Sequence, residues 1–261
     1  MQISQIYMSD AGDQLPAQLQ QCVDQVRRLH PEWEHRLYGL ASLREFIANN
    51  FDAEVLKAYD KLKPYSYKAD LGRYCLLYHV GGWYFDISVR LLTAINLSPD
   101  IEALAYRDIQ KHSRTCWNCS NTILYSKKGN DVFRLAIEQV VQNCREEYYG
   151  ITPLCPTGPT LLGRSFAMHG ASKGFVFGDL MRLTPRLAAR NVTQAFFPFA
   201  PMSLFPWLAR RELAFVLPNK VVHAFFKRKG RGEGLSAFGA KGTNNYSALY
   251  NAREVYASVQ D

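Results

Sequence analysis

The sequence predicts a single α/β domain built on a central mixed, mostly parallel sheet of the Rossmann-like kind. Three observations predict it. The chain opens as strand, helix, strand. Strand-like and helix-like stretches then alternate to the C terminus, with no internal repeat and no linker-like segment. Residues 66–90 pass from helical spacing to a period of two across the Gly81-Gly82 pair.

The first strand is the apolar run Gln2–Tyr7. Leu15, Leu19, Cys22, Val23, Val26 and Leu29 recur at helical spacing, so 15–29 is an amphipathic helix. Pro16 suits its first turn, and His30-Pro31 closes it. Glu34–Tyr38 is the second strand. Residues 41–62 read as helix in two pieces divided near Asn49-Asn50, and Pro64 marks a break before a central helix at about 66–80. Gly81 and Gly82 permit a tight reversal into a strand over 83–90. On that strand Trp83, Phe85, Ile87 and Val89 share one face, and Tyr84, Asp86, Ser88 and Arg90 share the other.

Ala103–Tyr106 and Asn121–Tyr125 are strand candidates on either side of a polar loop at 108–120. Asp131–Asn143 carries a helical apolar face. Thr152–Pro159 is rich in turn residues, and Thr160–His169 resumes a short helix. Val176–Leu183 holds a weak strand, 184–212 is irregular, aromatic and basic, and Ala214–Leu217 and Val221–Phe226 are late strands. A helix near 246–258 ends the pattern.

A 261-residue chain that is 48% hydrophobic and 21% charged has the profile of one folded domain. Its net charge of +8 admits an anionic partner: a nucleotide, a nucleic acid or an acidic membrane surface. The basic run Lys227-Arg228-Lys229-Gly230-Arg231 has no interleaved aromatic platform, which argues against nucleic acid. Phe196, Phe197, Phe199, Phe205 and Trp207 suit an acceptor groove, a bilayer interface or simply a core under an irregular loop. The opening residues lack the charge and apolar stretch of a secretory signal, and no run has the length of a membrane span. Six scattered cysteines read as reduced thiols, so the expectation is a cytoplasmic protein, with peripheral contact at the inner membrane through its basic C-terminal half. Cys116 and Cys119 form a lone C-x-x-C near His112; without a second pair, two free thiols are a better reading than zinc. His223 on its presumed strand reads first as a structural histidine.

No Gly-x-x-x-x-Gly-Lys-[ST], Gly-x-Gly-x-x-Gly after the first strand, or Gly-x-Ser-x-Gly occurs, which disfavours P-loop nucleotidases, dinucleotide dehydrogenases and α/β-hydrolases. What remains is polar clustering around the central helix. Asp70 and Arg73 lie three apart on one helix face. The helix–turn–strand unit brings them towards Tyr84 and Asp86. Open α/β sheets bind ligands beyond the carboxyl ends of their strands, where Asp86 falls. Asp86 with Ser88 is a reasonable ligand pair for Mg²⁺ or Mn²⁺ that keeps several waters, and Arg73 offers a fixed positive charge.

The run Ala69-Asp70-Leu71-Gly72-Arg73-Tyr74, followed by Gly81-Gly82-Trp83-Tyr84-Phe85-Asp86-Ile87-Ser88, resembles the signature of the family 32 glycosyltransferases, the DXD sugar-binding enzymes of yeast α-mannosyltransferase and bacterial capsule type. It is also similar to the catalytic domain of the clostridial glucosylating toxins. Fainter similarities lie in Ile3–Tyr7, His30-Pro31-Glu32-Trp33-Glu34, Thr157-Gly158-Pro159, His223 and the stretch Glu233, Ser236, Phe238.

The resemblance implies a GT-A fold, with a donor-binding core at about 1–130 and an acceptor part at about 131–261. It implies a retaining hexosyltransferase that moves a sugar from a UDP- or GDP-sugar to a glycan or lipid-linked glycan, in capsule or O-antigen-type synthesis. Asp86, Asp70 and Arg73 would be catalytic. Asn118 and Asn121 could contact donor hydroxyls, although loop asparagines more often satisfy backbone. Ile6, Tyr7, Asp70, Arg73, Tyr84, Asp86, Ser236 and Phe238 would bind the donor, and Asp86, Ser88, Glu233 and His223 would serve the metal. One position departs from the family: Ser88 stands where the second aspartate of D-x-D is expected. Metal binding is then rescued by Glu233, Ser236 or His223, or the diphosphate is neutralised by the 227–231 cluster, or catalysis is weak. The alternative from another class is a non-catalytic nucleotide-sugar or glycan-binding relative.

Overall fold

The structure, a computed structural model, describes residues 1–91, 94, 97–108, 115–182, 212–216, 225–228 and 242–258. The elements follow the expected alternation: β1 (Gln2–Ile6), α1 (Ala17–Leu29), β2 (Glu34–Tyr38), α2 (Leu40–Asn50), α3 (Ala53–Lys61), α4 (Tyr65–His79), β3 (Gly82–Phe85), β4 (Arg90–Leu91), β5 (Ala103–Arg107), β6 (Cys119–Ser126), α5 (Asp131–Arg145), α6 (Pro159–His169), β7 (Phe175–Arg182), β8 (Glu212–Val216), β9 (Phe225–Arg228) and α7 (Tyr246–Asn251). Pro16 and His30 flank α1 at its caps. The break between α2 and α3 is made by Asp52, whose carboxylate accepts from the Glu54 and Val55 amides as an N-cap.

All strands join one mixed sheet in the order β2-β1-β3-β6-β5-β7-β8-β9-β4. Parallel pairing links β2, β1 and β3, and links β5 with β7; the other neighbours are antiparallel. Consequently β1, β2, β3, β5, β7 and β9 run one way, and β4, β6 and β8 run back. The sheet cannot be flat. β3 and β4 stand six places apart in it, which in a planar sheet would be about 29 Å. The chain from Phe85 to Arg90 reaches at most about 18 Å. The sheet therefore curls, and Val89 and Leu91 return to the same core cluster as Trp83 and Phe85.

The second core cluster lies on the other sheet face, under α4, α5 and α6. α4 is buried nearly all round, which is why its sequence shows little amphipathic contrast.

The expected strand over 83–90 is corrected. Pairing with β6 stops at Phe85, and residues 86–89 form a turn in which the Val89 amide donates to the Asp86 carbonyl at 2.9 Å. The even alternation of buried side chains continued through the turn, so periodicity alone mistook it for strand. The C-terminal helix is also shorter than expected, ending at Asn251; the chain then folds back so that Val255 and Tyr256 are buried. β9 includes Lys227 and Arg228 of the basic run, while 184–211 lies outside the described residues.

The double glycine does what its sequence suggests. Gly81 and Gly82 have φ of +78° and +87°, and a Cβ on Gly82 would lie 2.2 Å from the Gln2 carbonyl oxygen. Gly82→Ala should therefore combine backbone strain with a clash against β1. The expected loss is about 3 kcal/mol or more, measured by urea denaturation.

Candidate functional site

The site lies where β1 and β3 end and β6 begins, roofed by α4. Asp70 and Arg73 are both 5% exposed, and α4 points them at the end of β3. Arg73 is the centre. Its Nη1 donates to Asp86 Oδ1 at 3.0 Å and also to the Asn121 carbonyl. Its Nη2 lies 3.2 Å from Asp70 Oδ1, and its Nε donates to the Ala69 carbonyl at 3.1 Å. The Tyr84 ring lies against the guanidinium, 4.5 Å from Cζ to the ring centre, and the Tyr84 hydroxyl donates to Asp86 Oδ1 at 3.0 Å. The four residues singled out from sequence in the helix–turn–strand unit thus meet in one cluster.

Asn121 and Thr157 complete it. Asn121 Nδ2 donates to Asp70 Oδ1, and the Thr157 hydroxyl, fully buried, donates to Asp70 Oδ2 at 2.8 Å. The Tyr74 hydroxyl holds the Thr157 carbonyl at 2.8 Å. Asp70 is therefore enclosed, with both oxygens engaged. The side chain of Asp86 is twice as exposed as that of Asp70, 17% against 8%. The sequence signal for Thr157 was its Thr-Gly-Pro segment; Asn121 stood out with Asn118 as a candidate contact to donor hydroxyls, and its side chain instead holds Asp70.

Ile6 and Tyr7 close β1 on the same rim, both buried. Tyr7 packs in one cluster with Ile87, so the end of β1 touches the turn that follows Asp86. Ser88 sits in that turn, and its Oγ is buried without a hydrogen-bond partner. Glu233, His223, Ser236, Phe238 and His112 lie outside the described residues. Cys116 and Cys119 are free thiols, one exposed and one buried.

Burial pushes the Asp70 carboxyl up to about 6, against the opposing pull of Arg73 and the Thr157 hydrogen bond. Desolvation works against the Arg73 charge, but Tyr84, Asp86 and Asp70 outweigh it and raise the guanidinium above its ordinary value. Both partners are charged at neutral pH. An aspartate raised on folding stabilises the fold at low pH and loses that contribution as pH rises through its folded value. The stability of the wild type relative to Asp70→Asn should therefore fall between about pH 4 and about 6. Urea denaturation of both proteins across that window checks the sign.

Two carboxylates share one guanidinium, so Asp70, Arg73 and Asp86 together carry a net charge of −1. A diphosphate would bring further negative charge. The residues fit a hard divalent cation in this respect: Asp86 offers a carboxylate and Ser88 an unpaired buried hydroxyl, two oxygen donors that leave room for water and phosphate oxygens. No cluster of three or more metal-binding acids, histidines or cysteines occurs among the described residues. No helix among the described residues is long and apolar enough to cross a membrane.

Residues 16–108 match the family described as the glycosyltransferase sugar-binding region containing DXD motif. An uncharacterized glycosyltransferase of Acanthamoeba polyphaga mimivirus is 26% identical over 46% of this chain and 47% of its own length. Inositol phosphoceramide mannosyltransferase 2 of Schizosaccharomyces pombe is 28% identical over 54% of this chain and 38% of its own. Inositol phosphoceramide mannosyltransferase 3 of the same yeast is 42% identical over 26% of this chain and 18% of its own. The matched stretches thus span less than half of each of these relatives. The PaToxG glycosyltransferase structure superposes with a TM-score of 0.50 at 13% identity, covering 64% of this chain and 69% of that one, a likeness of fold. The family resemblance carried by residues 66–90 is supported by the matches in sequence.

Proposed function

We propose, from the premise that the chain carries the sugar-binding region of the DXD glycosyltransferases, that it transfers a hexose from a nucleoside diphosphate sugar to a glycan or lipid-linked glycan. The single observation that carries this reading is the convergence of Asp70, Arg73, Tyr84 and Asp86 at the carboxyl end of β3. We read the chain as one unit, with the donor core in roughly its first half.

Ile6 and Tyr7 would border the nucleoside. Asp86, the more exposed carboxylate, would face the donor sugar and ribose. Asp70 acts through Arg73, Asn121 and Thr157 as a positioning residue: it fixes the guanidinium that in turn orients Asp86. Asp86 and Ser88 would hold a Mn²⁺ or Mg²⁺ ion, and the chemistry that ion supplies when bound is neutralisation of the diphosphate leaving group. Arg73 and the Tyr84 hydroxyl keep Asp86 in one orientation, so little reorganisation is needed as charge develops. We assign retention of configuration: the acceptor hydroxyl attacks the anomeric carbon on the face from which the diphosphate leaves, so that the C–O bond to the acceptor forms as the bond from the anomeric carbon to the phosphate oxygen breaks and the hydroxyl proton passes to the departing diphosphate. No protein nucleophile is required. The names of the yeast relatives suggest mannose as the donor sugar and an inositol-bearing lipid as an acceptor to set beside capsule and O-antigen-type glycans. The basic C-terminal half is compatible with work at an anionic inner-membrane surface.

The test is release of nucleoside diphosphate from UDP- and GDP-sugars, with and without Mn²⁺. A non-catalytic binding relative is the second reading, favoured by Ser88. It predicts donor binding with no turnover over a broad acceptor panel. Ser88→Asp bears on both. A second carboxylate in the buried turn should lower the melting temperature without metal, and Mn²⁺ should raise it more than in the wild type. An unchanged Mn²⁺ response would place Ser88 away from the metal.

A further inference from the structure

We propose that a cavity beside the Asp86 cluster binds a sugar ring of the acceptor; this rests on the transferase reading above. The cavity measures about 260 Å³ and is bordered by Arg107, Asp108, Trp117, Asn118, Phe166 and Phe177. None of Asp70, Arg73 and Asp86 borders it. It is nevertheless on the same rim. β5 runs in the same direction as β3, so Arg107 at its end lies on the side of the sheet where Asp86 lies. β6 runs back and so begins there. Asn118 immediately precedes β6, and Asn121, whose carbonyl and amide hold Arg73 and Asp70, comes three residues later. That separation is roughly 10 Å along an extended strand, the length of a disaccharide. A ring in the cavity and a ring at Asp86 would be neighbours.

The chemistry of the walls selects among occupants. Phe166 and Phe177 supply apolar surface, and Trp117 is a large aromatic left 44% exposed at the border. An accessible aromatic ring beside a few polar groups is a common lining of a small-ligand site. The polar border is nearly neutralised in advance. Arg107 donates to both carboxylate oxygens of Asp179, at 2.7 and 2.9 Å. Asp108 adds a further carboxylate. Among the described residues of this border, an anionic ligand such as a diphosphate therefore meets no uncommitted cation, and a lipid chain would bury charged groups. A pyranose matches both halves: its C–H face lies on an aromatic ring, and its hydroxyls bond at the rim of the Arg107–Asp179 pair and at the Asn118 amide, whose Oδ1 is already held by the Thr115 and Thr160 hydroxyls.

Binding of methyl α-glycosides of mannose, glucose and galactose, followed by protein NMR shifts, tests the proposal. At least one should bind the wild type at millimolar concentration. Trp117→Ala should weaken it about tenfold or more, and Trp117→Phe should retain most of the affinity, since the ring remains. Asp86→Ala should leave it unchanged. Equal affinity in wild type and Trp117→Ala, or no binding by the folded wild type, would overturn the cavity assignment. The transferase reading fails separately: nucleotide sugars would neither bind nor be hydrolysed, whatever the glycosides do.

Discussion

Asp86→Ala should lower nucleotide-sugar hydrolysis by about 100-fold or more, while the fold survives. The asymmetry follows from how Asp86 is held. Its backbone remains tied without the carboxylate: its amide donates to the Thr122 carbonyl at 2.8 Å, and its carbonyl accepts from Val89. The guanidinium it leaves behind keeps Asp70 at 3.2 Å, so no buried cation is stranded. Loss of the carboxylate therefore falls on the ligand side of the cluster. Nucleotide release and the melting temperature, measured together, check this. Hydrolysis within a few-fold of the wild type would remove Asp86 from the reaction.

Arg73→Met should have the opposite profile, a large loss of stability. It would leave Asp70, fully enclosed, facing Asp86 with no cation between them. Removing one partner of a buried pair costs about 3–5 kcal/mol, because the remaining charge is uncompensated. Asn121 and Thr157 still donate to Asp70, but neutral donors offset only part of that. Adding Asp70→Asn to Arg73→Met should recover a measurable fraction, since it removes the stranded charge. Denaturant midpoints of the single and double variants decide it. A loss under about 1 kcal/mol in Arg73→Met would mean that water reaches the site.

Much of this fold was legible because most elements have a face to bury. α1, α5 and β1 announce themselves through spacing, and the Gly81-Gly82 reversal through its residue type. The 86–89 turn was not legible: its side chains keep the alternation of a strand, and only the loss of pairing beyond Phe85 reveals it. The core of the site was readable because Asp70, Arg73, Tyr84 and Asp86 lie within one local unit. Asn121 and Thr157 were harder, since they reach Asp70 from 51 and 87 residues away. Long-range pairing of that kind leaves no period in a sequence. The cavity at Trp117 is more hidden still, being assembled from β5, β7, α6 and the approach to β6.

The curl of the sheet bears on how the protein can be divided. β4 follows the Asp86 turn directly, yet its sheet partner is β9, more than 130 residues later. The amide of Thr243 reaches Asp10 in the same way, over 233 residues. The stretch that carries the sugar-binding signature is thus not an autonomous module. Expressed without β9, it would leave β4 as an open edge and the turn bearing Asp86 and Ser88 tethered from one side. Nascent chains would have to wait for their C-terminal strands before that turn could settle, which makes folding of high contact order and slow. Activity should accordingly be sought in the full 261-residue chain and not in its first half.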